Sequence, residues 1–232
     1  MNIRHVVLQS DKIEHVAVAI CRTSRGNTHT GVVYRHSDKT VHLFHQAWDH
    51  DTKDQPISDG SAEMGGPFFC VIPKLHPVRA SAIAGFWEMV ASRGEQIAYA
   101  LRDDPEALFD SDTHKLTLPN GRGLSCSTFV LVLFRSVSFY LIDATGWPIN
   151  RPGDKEWLEF LVKLLEETCD DEEHVEAVKQ EVADGCIRIR PEEVAGAAMR
   201  SAYPVRHPEA EDAGLFILGG LGILSHFRNG MK

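Results

Sequence analysis

The sequence predicts an α+β fold in which an antiparallel sheet, formed early in the chain, packs against a core helix and is followed by further helices. Three observations predict it. Between residues 15 and 73, short runs rich in Val, Ile and aromatic residues are bounded by Gly, Asn, Asp and Ser, as strands and their turns are. From residue 76 onward apolar residues recur at helical spacing. The segment 125 to 142 is apolar on nearly every side, as a buried helix is.

In chain order, the strands are HVAVAICRT (15 to 23), HTGVVYR (29 to 35), TVHLFHQAW (40 to 48) and PFFCVIP (67 to 73). The second and third turn around HSDK, whose Ser37-Asp38 centre suits a hairpin. Residues 76 to 94 carry Val78, Ile83, Phe86, Trp87 and Val90 on one helical face and stop at Gly94. Arg135 and the serines make 125 to 142 a poor membrane span. Residues 154 to 185 read as two amphipathic helices broken near Cys169-Asp170-Asp171, and 190 to 200 as another with Pro191 in its first turn. The apolar stretch 213 to 227 is shorter than the roughly 17 to 25 residues a spanning helix needs. With four glycines weakening a helix, it reads as a buried closing strand or packed tail. These elements make one domain over 1-232, with its core at about 12-142 and a helical elaboration at about 150-200.

Composition narrows the function. The chain has 232 residues and a formal charge of -9, with 24 Lys and Arg against 33 Asp and Glu, so it lacks the basic footprint of a nucleic-acid partner. Five cysteines at wide spacing, no CxxC pair and no apolar leader at the start point to free thiols in a reducing compartment. The expected location is cytoplasmic, or outside the cell by way of a leaderless secretion system. Cys21, Cys70, Cys169 and Cys186 read as small buried hydrophobes.

Cys126 stands apart. A helix beginning near Ser125 places Cys126, Phe129, Val130, Leu133, Phe134 and Val137 on one stripe, with the thiol in the first turn. The free amides and dipole there favour an anion and lower a thiol's pKa, although a thiol that simply packs is also compatible with this stretch. A nucleophile also needs a base, and residues 27 to 51 hold His29, His36, His42, His45 and His50. A metal site could draw on His42, His45, Asp49 and His50, but strand alternation sends His42 and His45 to opposite faces. A thiol hydrolase asks for less: one imidazole beside the sulfur and one polar residue on the adjoining strand to orient it.

HTGVVYRHSDKTVHL followed much later by LSCSTFV resembles the circularly permuted branch of the NlpC-type papain-like hydrolases. That branch includes YiiX-like proteins and lecithin retinol acyltransferase-like enzymes. His29, Gly31, Val32 and Val33 match its His-x-Gly strand, His42-Leu43 the next strand, and Cys126, Phe129 and Val130 the nucleophile helix. The resemblance covers roughly residues 12 to 142 and implies a papain-like sheet packed on the cysteine helix. It implies Cys126 as nucleophile, His29 as base and His42 as the residue that orients it. Because the His29 to His42 spacing is one residue longer than in the acyltransferase subgroup, His45 and Gln46 are the alternatives for the third role. The implied activity is hydrolysis or acyl transfer on an amide, isopeptide or ester of a protein, peptide or lipid. No cofactor, nucleic acid or stable membrane insertion is implied. The competing expectations are an inert binding module of the same fold and a His-cluster metal-binding protein.

Overall fold

The computed structural model describes residues 4–5, 12–57, 68–118, 122–149 and 151–222. Its architecture is α+β. The strands are β1 (Arg4–His5), β2 (Val16–Arg22), β3 (Thr28–Arg35), β4 (Val41–Trp48), β5 (Asp51–Pro56) and β6 (Phe69–Val71), joined antiparallel in the order β1-β6-β2-β3-β4-β5. Five of them form the body of the sheet, with two-residue β1 at the β6 edge. A separate short pair joins β7 (Leu108–Phe109) and β8 (Leu116–Thr117). Among the described residues the helices are α1 (Pro77–Ala91), α2 (Cys126–Arg135), α3 (Asp154–Thr168), α4 (Glu172–Ala183), α5 (Pro191–Ala198) and α6 (His207–Gly220).

Strand alternation sorts the sheet into two faces. Val16, Val18, Ile20, Val32, Tyr34 and Phe44 pack with α1, α2 and α5 in the main core. Ala17, Ala19, Cys21, Val33 and Leu43 join Phe68 and Cys70 in a second cluster. The β3–β4 hairpin turns at the expected place. The Asp38 carboxylate accepts from the Thr40 amide at 2.8 Å, and Lys39 takes a left-handed φ of 76°. Strand β5, DTKDQP, has no apolar run and was not foreseen. It exists because β4 offers an unpaired edge, which it joins from His42↔Pro56 to Trp48↔Asp51.

Every residue of α2 from Cys126 to Phe134 is buried. It lies against β3 and β4 on one side and α5 on another. The helix ends earlier than the apolar run does. Ser136 caps it by donating to the Val132 carbonyl at 2.7 Å, Arg135 swings back to Asp103 with two bonds of 2.9 Å, and Ser138 turns left-handed at φ 55°. Val137 is therefore off the helical stripe on which it was expected.

Helices α3 and α4 pack on Tyr99, Ala100 and Leu101 in a third cluster. Helices α5 and α6 cross at two glycines. A Cβ on Gly196 would lie 2.6 Å from the Gly214 nitrogen, and one on Gly214 would lie 2.9 Å from the Glu192 carbonyl oxygen. The expected closing strand or tail is thus corrected to a helix as far as Gly220, because Gly214 serves the crossing. Residues 223–227 lie outside the described residues. No described helix is long and apolar enough to cross a membrane.

Gly196→Ala is expected to cost about 1–3 kcal/mol through backbone overpacking, read by urea denaturation. Gly85→Ala, on the exposed side of α1 where a Cβ meets nothing within 4 Å, should instead gain about 0.5–1 kcal/mol.

Candidate active site

The histidine pair is built by β3 and β4. His29 Nε2 and His45 Nδ1 lie 2.9 Å apart, both rings are buried, and Phe68 packs edge-on to His29 with 6.2 Å between ring centroids. Gly31 makes room for this. It sits across from His45, and a Cβ there would come within 2.6 Å of the His45 Cβ. Two neutral imidazoles at this distance share one proton between them, so one nitrogen donates and the other accepts. Among the described residues His29 makes no other side-chain hydrogen bond, which leaves Nδ1 as its uncommitted nitrogen.

His42, the expected orienting residue, is not the one at His29. Paired with Tyr34, it points to the opposite side of β4 from His45. There its Nδ1 meets the Asp54 carboxylate at 3.1 Å and its ring stacks on His36 at 4.9 Å. Gln46 is a brace rather than a partner: its amide donates to the Trp48 and Ile97 carbonyls at 2.6 Å each, across a bulge in β4. Of the three alternatives, His45 is the one in contact with His29.

Cys126 opens α2 behind the Ser125 cap, where Ser125 and Thr128 bond each other reciprocally, the Ser125 amide donating to Thr128 Oγ1 at 2.8 Å. That box engages the Ser125 and Thr128 amides and leaves the Cys126 amide uncommitted among the described residues. The β3–β4 ladder stops at Val32↔Phe44. Two residues beyond, the Thr30 amide is near enough to the Cys126 sulfur to pull its pKa down. The thiol and the histidine pair therefore lie at the same open end of the ladder, although alternation assigns His29 to the face of Cys21 and Leu43 and α2 packs on the other. Among the described residues no hydrogen bond joins Cys126 to His29.

Burial pushes the Cys126 thiol up, and the Thr30 amide, the Ser127 hydroxyl and amide, and the Arg188 charge pull against it without prevailing. The thiolate expected at a helix start is not favoured, because the cost of desolvation exceeds the pull of these neighbours. Burial first, and His45 second, lower His29 well below its ordinary 6.5. At neutral pH the resting residues are a neutral thiol and a neutral imidazole. Cys21, beside His29 on β2, is pushed up to about 12 by burial and then by Cys126.

Both His29 and Cys126 line one cavity of about 320 Å³. Trp157, Phe160, Leu161 and Leu164 of α3 make an apolar wall, and Trp48 and Tyr99 add aromatic surface. Thr23 to Thr28 supply a polar rim. Trp87 and Trp147 lie instead in the core.

Sequence reasoning missed Tyr99. Its amide donates to Asp49 at 2.8 Å, and the loop beside it is clamped by Gly123, where a Cβ would fall 2.1 Å from the Ala98 carbonyl oxygen. Gly123, at φ 142°, is the one trace of this contact in the sequence.

Protein-family models, curated proteins and solved structures give no match to this chain.

His42, His45, Asp49 and His50 go to separate partners and do not converge on a metal position. Among the described residues the acidic and histidine groups that do converge are Glu193, His207 and Glu211, and there the Arg151 guanidinium already bonds Glu193 and lies 2.8 Å from His207 Nε2.

Because His29 is neutral when folded, the unfolded chain binds the extra proton below about 6.5. Stability should therefore be full above that value and fall as pH drops beneath it. Thermal unfolding between about pH 5 and 7.5 should show this fall, and His29→Gln should flatten it.

Proposed function

We propose that this chain is a cysteine-dependent hydrolase or acyltransferase of papain-like architecture, acting on an amide, isopeptide or ester through a Cys126 acyl-enzyme. The observation that carries the reading is the opening of a buried thiol at a helix start and a hydrogen-bonded histidine pair onto one cavity. Since His45 engages His29 Nε2, the thiol proton passes to His29 Nδ1 as the sulfur forms its bond to the substrate carbonyl carbon. The carbonyl oxygen takes the electron pair and is met by the Cys126 amide and the Tyr99 hydroxyl. Collapse breaks the bond to the amine or alcohol, which leaves with the proton returned by His29. Water or an acceptor, deprotonated by His29, then cleaves the thioester. His45 holds the tautomer and orientation of His29 throughout.

The absent Cys126–His29 hydrogen bond and the raised thiol favour a second reading, a binding module with an inert thiol. The catalytic step requires the two groups to close on a bound substrate, as such pairs commonly do. Iodoacetamide labelling followed by mass spectrometry separates the two readings. Cys169 is more exposed than Cys126, so an inert Cys126 labels more slowly than Cys169 at every pH. An active Cys126 labels faster, its rate climbing with pH above neutrality without an acidic plateau, because the resting thiol is neutral.

In hydrolysis of para-nitrophenyl esters, Cys126→Ala should abolish turnover and His29→Ala lower it by about 10²–10⁴-fold. His45→Ala should lower turnover by less, and His42→Ala should leave it at the wild-type rate.

A further inference from the structure

A second cavity of about 170 Å³ adjoins the one at Cys126, and both are lined by Asn27, Thr28 and Trp157. The second is lined by Arg188 and Arg190. Three guanidiniums converge beneath it on the buried Asp154 carboxylate. Arg151 donates through Nε at 3.0 Å, Arg190 through Nη2 at 2.9 Å and Arg188 through Nη1 at 2.9 Å. Arg151 is further paired with Glu193, and Glu192 at the rim accepts from Thr28 at 2.8 Å, so charges in the cluster balance. The donors do not. A guanidinium carries five N–H groups, and the single bond to Asp154 is the only hydrogen bond the Arg188 guanidinium makes among the described residues. Its Nε is buried with no partner, although its side chain keeps 13% of its surface exposed. The Trp157 indole lies over the guanidinium plane at 3.7 Å and fixes it. Among the described residues Nη2 makes no hydrogen bond either, and a charged N–H of this kind bonds a carboxylate oxygen strongly. A buried, oriented and underused guanidinium one aromatic ring away from a nucleophile is the mark of a ligand site.

We propose that this second cavity is a carboxylate-binding subsite anchored by Arg188, so that the molecule acted on at Cys126 carries a carboxylate a few bonds from its reacting carbonyl. This rests on Cys126 being the nucleophile. Arg188 is then a specificity residue, and Trp157 the divider between the reacting group and its anionic handle. Burial, with the neighbouring Arg190 charge, holds the Arg188 pKa below its ordinary value against the pull of Asp154 and Glu192.

The test uses N-chloroacetyl amino acids of increasing chain length, each paired with its primary amide, as alkylators of Cys126 in the full chain. At one length the acid should react at least about tenfold faster than its amide, a preference of about 1.4 kcal/mol. Arg188→Gln should bring the ratio to one or below, and Arg188→Lys should restore part of it. A ratio that never exceeds one in the wild type, or that survives in Arg188→Gln, overturns the proposal. The second outcome would leave Arg188 acting on the thiol through charge alone, which slows acid and amide alike. A second measurement does not depend on the thiol. In Cys126→Ala, N-acetyl amino acids should shift the Arg188 Nε–H resonance saturably. No saturable shift, or tighter binding of inorganic phosphate than of any carboxylate, overturns the assignment. A saturable carboxylate shift in a protein whose Cys126 ignores every alkylator would uphold the subsite and sink the nucleophile.

Discussion

Helix α2 has no face for water, and the rest of the fold can be derived from that constraint. Nine consecutive buried residues, Cys126 to Phe134, need apolar cover on every side. The sheet supplies one side through β3 and β4, and α5 supplies another. The C-terminal helices therefore belong to the same core as the sheet rather than decorating it, as Val194, Ala197 and Ile217 show by joining Phe129 and Leu133 in one cluster. At a buried helix start the Ser125–Thr128 box satisfies the Ser125 and Thr128 amides from within and leaves the Cys126 amide to the cavity. Cys126 inherits the low dielectric of this position. Its thiol is pushed up, and any reactivity it has must come from a base that acts during the reaction rather than from a standing thiolate.

The histidine pair is held by a different constraint on space. Two imidazoles on neighbouring strands collide unless one opposing position lacks a side chain, and Gly31 is that position. The period of the strand does the rest. His45 and His42 are three residues apart, so they cannot share a face. One went to the buried His29 and the other to Asp54 at the sheet edge.

Most of the fold was legible because its signals were local. The β3–β4 hairpin, the α3–α4 break at Cys169 to Asp171 and the start of α5 at Pro191 each rest on residues a few positions apart. What escaped depended on distant partners. Strand β5 is polar and forms only because β4 has an edge to offer. Helix α6 carries glycines that argue against a helix until α5 is seen lying across Gly214. The histidine in contact with His29 required the register of β4, which family spacing set differently from the strand's own alternation. Tyr99 and Arg188 reach the site through loops, where periodicity says nothing about direction.

The arginine cluster shows why the helical elaboration matters to the site. Burial alone would raise the Asp154 carboxyl, yet the guanidiniums of Arg190, Arg151 and Arg188 hold it below its ordinary value. A buried ion cluster is weak support for stability, since desolvation consumes much of the Coulombic gain. Its directional bonds are another matter. Asp154 is the first residue of α3, and three guanidiniums from residues 151, 188 and 190 fix where that helix starts and how it is rotated. From that start, Trp157, Phe160, Leu161 and Leu164 fall at helical spacing on one side, which is the wall facing Cys126. The elaboration thus sets the shape of the cavity through charge pairing at one end of a helix, while the sheet and α2 set its chemistry.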